Sequence, residues 1–297
     1  MDVTQFLRSR HGAATTASLY AAGFTRRGLA KAVKEGDISR LHRGVYIAKD
    51  ADPDIVAAFR ANGKLTCVSA ARFYGLWTLH DGPPHAGGQL HLSCGTGLAR
   101  RRIVHHGQRL HPDHPYLPVA GVADVLLHAT RCLPELEALV MVQSAVSHAL
   151  LTTTFLESKM NGNRNGVSRA ILGLVLPRAD SLLEVLAHTH FTRAGLQVRM
   201  HADVPGVGEV DCLIEECLIV ELDGGTHFEP KQVKKDQYRN NAGLLGGLTS
   251  LHYYYADVVY QPQKMVDEVL AVLRNREAGR YGPLRYLASQ PPSSLMP

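Results

Sequence analysis

Three acidic side chains stand where apolar ones are expected. Residues 210–214 and 218–222 are apolar, β-branched runs separated by Glu215-Glu216; Asp211 lies in the first, Glu221 in the second, and Asp223 follows at once. Two such runs around a short polar linker predict an antiparallel hairpin. A carboxylate buried in a strand costs several kcal/mol unless a cation compensates it. Side chains alternate along a strand, so Glu221 and Asp223 share a face. A two-residue turn would set Asp211 opposite Val220, on the wrong face. An odd turn centred on Glu216, or a bulge, sets it opposite Glu221. We therefore expect an odd turn or a bulge, with the carboxylates of Asp211, Glu221 and Asp223 converging. Three oxygen donors favour a hard ion, Mg²⁺ or Mn²⁺, over zinc. Such an ion polarises a phosphodiester and lowers the pKa of a bound water. His227 follows closely enough to transfer a proton or hold the phosphate.

A second set of residues suits phosphate binding. Residues 1–49 hold nine cations (Arg8, Arg10, Arg26, Arg27, Lys31, Lys34, Arg40, Arg43, Lys49) against Asp2, Glu35 and Asp37. The chain as a whole carries +5 with a pI near 9.0, so the excess is concentrated here. Each phosphate neutralised by such a cation releases counterions and adds affinity. Helical patterns at 4–10 and 15–22, a stop at Gly23 and a new start at Thr25 predict helix, tight turn, helix. Over 26–35 the spacing gathers Arg27, Lys31 and Lys34 into one stripe, with Leu29, Ala32 and Val33 on the far side. Gly36-Asp37 ends that helix. Residues 38–41 and 45–48 then read as strands joined through His42-Arg43-Gly44, a wing beside a recognition helix.

These sites must be carried by more than one domain. A chain of 297 residues with 45% hydrophobic content can build two or three cores. Over 51–178 a helix at 65–80 carrying Trp77, strands at 89–93 and 103–106, and helices at 122–129 and 134–150 predict an α/β connector. Its histidines, His91, His105, His106, His111 and His114, match no zinc-ligand spacing, and are expected as surface and packing residues. The five cysteines are scattered without a C-x-x-C pair, so neither disulfides nor a cysteine-rich zinc site is expected. No apolar run reaches the ~20 residues of a membrane span, and the N-terminus does not read as a secretory signal. A cytoplasmic location is expected. Residues 278–297 read as a disordered tail.

Residues 13–48, AATTASLYAAGFTRRGLAKAVKEGDISRLHRGVYIA, resemble the winged helix-turn-helix of abortive-infection type IV antitoxins, most clearly in RLHRGVYIA. That resemblance implies double-stranded DNA as partner, with Arg26, Arg27, Lys31 and Lys34 on the helix and Arg43 on the wing as contacts. It also implies a toxin or another defence protein as a second partner. The middle segment resembles the scaffold portion of antitoxin-like proteins.

Residues 181–273 resemble the PD-(D/E)XK nuclease superfamily, specifically a bacterial domain related to very-short-patch repair endonucleases. The matching residues are Ser181 with Glu184, Val210-Asp211, Val220-Glu221-Leu222-Asp223-Gly224, His227, and Lys235-Asp236 with Arg239. The resemblance implies a restriction-endonuclease-like α/β/α domain with a mixed central sheet over 179–277. In it Asp211 and Glu221 would hold the metal with help from Asp223 and Glu184, and Asp236 and Arg239 would support. The family's usual lysine two residues after the second acid is replaced by Asp223; Lys231, Lys234 or Lys235 could supply it instead. The whole is thus expected to be an α/β multidomain protein: winged helix-turn-helix over 1–50, connector over 51–178, nuclease-like domain over 179–277. The expected activity is metal-dependent DNA cleavage or nicking, in defence against foreign DNA. The alternative is an antitoxin-like transcriptional repressor whose nuclease fold is an inactive scaffold.

Overall fold

The computed structural model describes residues 1–79, 89–93, 102–105, 110–223 and 248–279. The chain divides into two compact units, Met1–Leu182 and Leu183–Pro297. Among the described residues no helix is long and apolar enough to cross a membrane.

The first unit opens with α1 (Val3–Arg8), β1 (Ala13–Thr15), α2 (Thr16–Ala21), α3 (Arg26–Glu35), β2 (Ile38–His42) and β3 (Val45–Ala48). Local chemistry places each boundary. Asp2 and Gln5 form a capping box on α1, and the Thr15 and Thr25 side chains accept from the Ser18 and Gly28 N–H groups at the starts of α2 and α3. Gly36 closes α3 with φ +79°, a left-handed conformation costly to any residue with a Cβ. Nothing lies within 4 Å of where that Cβ would sit. Gly36→Ala is therefore expected to cost about 1 kcal/mol through backbone strain alone, readable as a lowered denaturation midpoint with an unchanged m-value.

Strand β3 lies between β1 and β2, antiparallel to both. The sequence pattern missed β1, because three residues are too short to show alternation. Phe6, Leu7, Leu19, Leu29, Ala32 and Ile38 fill a shared core beneath the helices. Burying each large side chain stabilises by about 1.5–3 kcal/mol. One expectation fails here: Val33 is 38% exposed, so the packed face of α3 is narrower than its pattern suggested.

The same unit continues through α4 (Pro53–Arg60), β4 (Lys64–Leu65), a 3₁₀ segment Cys67–Tyr74, β5 (Leu90–Ser93), β6 (Arg102–His105), α5 (Val122–Cys132), α6 (Glu135–Ser147), α7 (Thr153–Lys159) and α8 (Gly166–Leu172). Strands β4, β5 and β6 form a second sheet, with β5 antiparallel to β4 and parallel to β6. Trp77 does not lie in a helix as expected. The 3₁₀ segment stops at Gly75 (φ +64°), and the Trp77 N–H donates to Ser144 Oγ at 2.9 Å. Leu65, Leu92, Leu126, Met141 and Leu156 make the core, which Ala13 and Ile47 of the N-terminal segment join. Arg10 binds the two parts from outside, its guanidinium 4.2 Å from the Phe6 ring centroid and 4.1 Å from that of Tyr116.

The histidines of this region separate into two groups. His111 packs on Phe155, and His114 Nδ1 accepts from the Tyr116 and Leu117 N–H groups, in the packing roles expected. His91 and His105, by contrast, are brought together with their ring nitrogens 3.1 Å apart. His106 lies outside the described residues.

The second unit contains α9 (Leu182–Arg193), β7 (Val198–Val204), β8 (Gly208–Ile214), β9 (Leu218–Asp223), β10 (Thr249–Tyr254), α10 (Tyr255–Tyr260) and α11 (Pro262–Glu277). Its sheet has the order β10-β9-β8-β7 and is mixed: β8 runs antiparallel to both β7 and β9, and β10 is parallel to β9. A parallel pair needs a long crossover, here the chain between β9 and β10. That crossover, 224–247, carries His227, Lys231, Lys234, Lys235, Asp236 and Arg239, all outside the described residues, as is most of the tail.

Candidate functional site

The β8–β9 turn decides whether the acidic residues meet. Ile214 pairs with Leu218, leaving Glu215, Glu216 and Cys217 as a three-residue loop centred on Glu216. Glu215 and Glu216 adopt φ +47° and +53° to close it, and the Cys217 N–H donates to the Ile214 carbonyl at 3.1 Å. The odd turn expected from the sequence is therefore present. From Cys212 opposite Val220, the register carries Asp211 to a place opposite Glu221.

At that level side chains take over from the ladder. The Leu222 N–H donates to Asp211 Oδ2 at 2.7 Å, and the Asp211 N–H donates to Glu221 Oε2 at 3.2 Å. Each carboxylate thus holds a backbone donor of the crossing, a charge-assisted contact that fixes both acids where the two strands part. Both are half-buried.

Asp223 departs from the expected convergence. It ends β9, is exposed, and faces His252 Nδ1 at 3.4 Å. The neighbouring β10, parallel to β9, supplies His252 as its partner. Glu184, in the first turn of α9, is buried with its Oε2 3.1 Å from His201 Nε2. His201, with φ +49°, breaks the β7 strand conformation at the level of Asp211. Its Nδ1 is 3.7 Å from Glu209.

The thiol of Cys212 feels the charge of three of these acids. Burial pushes it up most, and the charges of Asp211, Glu184 and Glu221 push it further. Glu184, Asp211 and Glu221 thus all act on the Cys212 thiol, but among the described residues these acids do not come together as a group of three or more metal-ligand atoms. Sequence reasoning missed His201 as the neighbour of Glu184 and His252 as that of Asp223. The signal for His201 was a polar residue in an otherwise ordinary strand, too weak to read alone.

The basic residues of the first unit lie as their spacing predicts. Arg26, Arg27, Lys31 and Lys34 are exposed along α3, while Leu29 and Ala32 are buried beneath. Arg43 is exposed at the tip of the β2–β3 hairpin, where Gly44 takes φ +93°. Lys31 also approaches Glu35 at 3.7 Å, an exposed pair worth at most about 1 kcal/mol. Such a pair is too weak to keep the lysine from a phosphate.

Residues 1–49 match the sequence family described as "Transcriptional regulator, AbiEi antitoxin". No curated protein matches the chain.

Proposed function

We propose that this protein is an antitoxin-type transcriptional regulator that binds duplex DNA through a winged helix-turn-helix. In this reading α3 is the recognition helix and the β2–β3 hairpin the wing, with Arg26, Arg27, Lys31, Lys34 and Arg43 on phosphates and base edges. The observation that carries it is the exposed cationic stripe on a helix whose opposite side is locked into the core, within the very residues that match the antitoxin family. A toxin is the protein partner this reading implies, and the cytoplasm the compartment. Fluorescence anisotropy of the full chain on a labelled duplex, repeated at rising salt, tests it. Affinity should fall linearly on a log–log plot with a slope of about −0.9 per phosphate contacted. Absence of binding at low salt would remove the reading.

A second reading is favoured by one observation, the meeting of Asp211 and Glu221 across the hairpin. In it the second unit is a restriction-endonuclease-like α/β/α domain of the PD-(D/E)XK kind, and the regulator is also a nuclease. An all-oxygen donor set suits a hard cation, so Asp211 and Glu221 would hold Mg²⁺ or Mn²⁺, with Glu184 of α9 as a further candidate. The ion would polarise the scissile phosphate and activate water. The chain's own contribution is positional: two backbone N–H groups pin the carboxylates.

A further inference from the structure

We propose that Cys67, His91, His105 and Cys132 form a tetrahedral site for a borderline-soft divalent cation, zinc above all, in the connector. One ligand atom from each residue lies within 4.8 Å of all the others. His91 Nδ1 is 3.1 Å from His105 Nε2 and 3.7 Å from Cys132 Sγ. Zinc bonds of ≈ 2.3 Å to sulfur and ≈ 2.0–2.1 Å to nitrogen set tetrahedral edges of about 3.4 Å for N···N and about 3.6 Å for S···N. The two distances bracket those edges closely enough that a small side-chain adjustment suffices.

The four residues come from four different elements: the start of the 3₁₀ segment, β5, the end of β6, and the last residue of α5. A bound ion would staple the small sheet to its covering helix. Such a staple has a purpose here, because β4 is only two residues long and β5 and β6 four each. Short strands of this kind bury little and hold poorly by themselves.

The surroundings are those of a ligand set. Cys67 holds a left-handed φ of +53°, strain that persists only where something else fixes the residue. The His128 ring, one turn before Cys132, stacks on His105 with centroids 4.8 Å apart, and its Nδ1 lies 2.7 Å from Thr66 Oγ1. Outer contacts of this sort orient ligating imidazoles. The Ser69 hydroxyl accepts the His91 N–H at 2.9 Å and fixes the β5 backbone. Loading would release the two thiol protons, and two thiolates with two neutral imidazoles would balance a 2+ ion. A neutral site fits the apolar core in which Cys67, Leu65 and Leu92 pack. Sulfur and nitrogen donors select zinc over the magnesium or manganese suited to carboxylates.

Untagged full-length protein, reduced and dialysed against limiting zinc, should retain about one equivalent by elemental analysis. Replacing zinc with cobalt should give thiolate charge-transfer and tetrahedral d–d absorption bands, which an all-carboxylate site does not produce. Cys67→Ser, or His91→Ala if the first variant fails to fold, should lose the bands, whereas Cys217→Ser should retain them. A chelator should lower the Tm of the wild-type protein and expose two additional titratable thiols. Reduced wild-type protein that binds no zinc or cobalt would overturn the proposal. So would recovery of Cys67 and Cys132 as a disulfide that, once reduced, still takes no metal.

Discussion

Replacing Arg27 and Lys31 together with alanine is expected to weaken duplex binding by about tenfold or more, and to reduce the log–log salt slope by about 2. The slope is the sharper readout. Each cation that neutralises a phosphate contributes close to one unit, so its loss is visible whatever sequence is bound. Both side chains are exposed on the face of α3 opposite Leu29 and Ala32, so the core beneath should be untouched and the Tm nearly constant. The Lys31–Glu35 pair lost with Lys31 is exposed and of little weight. An unchanged slope in a folded double variant would place the DNA contacts elsewhere on the chain.

The second large effect concerns the acid crossing. Under the nuclease reading, supercoiled plasmid incubated with Mg²⁺ or Mn²⁺ is relaxed or linearised, and EDTA abolishes this. Asp211→Asn and Glu221→Gln should each reduce cleavage to the EDTA background, because each removes a ligand charge and keeps the side-chain volume. The neutral amides still offer an oxygen to the Leu222 and Asp211 N–H groups, so the hairpin should survive. Duplex binding by the first unit should be unaffected. Asp223→Asn should cost less, since Asp223 stands at the rim beside His252. Full cleavage by the Asp211 variant would place the chemistry elsewhere. No cleavage by the wild-type chain with either ion would leave the repressor reading, with the second unit as scaffold.

The parts of this fold that were legible in the sequence are those set by neighbouring residues. The start of α3 at Thr25, its end at Gly36, and the two strands of the hairpin follow from caps, a left-handed glycine and short alternation, all local effects. The three-residue loop was legible for a different reason. A slip of one residue would have put a charged side chain on the wrong face, so chemistry constrained the register. What escaped notice depends on distant residues. Strand β1 exists because β3 pairs with it, and its three residues show no period of their own. Cys67, His91, His105 and Cys132 follow no ligand spacing, because each sits on a separate element and only the sheet and α5 bring them together. The expected meeting of Asp223 with the other acids failed on a partner in β10, a strand joined by a long crossover and invisible to local reasoning.

Lysine footprinting of the full chain tests the DNA-binding proposal most directly. Brief acetylation with and without a saturating duplex, read by mass spectrometry, reports each lysine separately. Lys31 and Lys34 on α3 are expected to be protected by the duplex, while Lys264, exposed on α11 in the second unit, stays reactive as an internal control. Lys31 and Lys34 reacting equally with and without bound DNA would contradict a recognition role for α3.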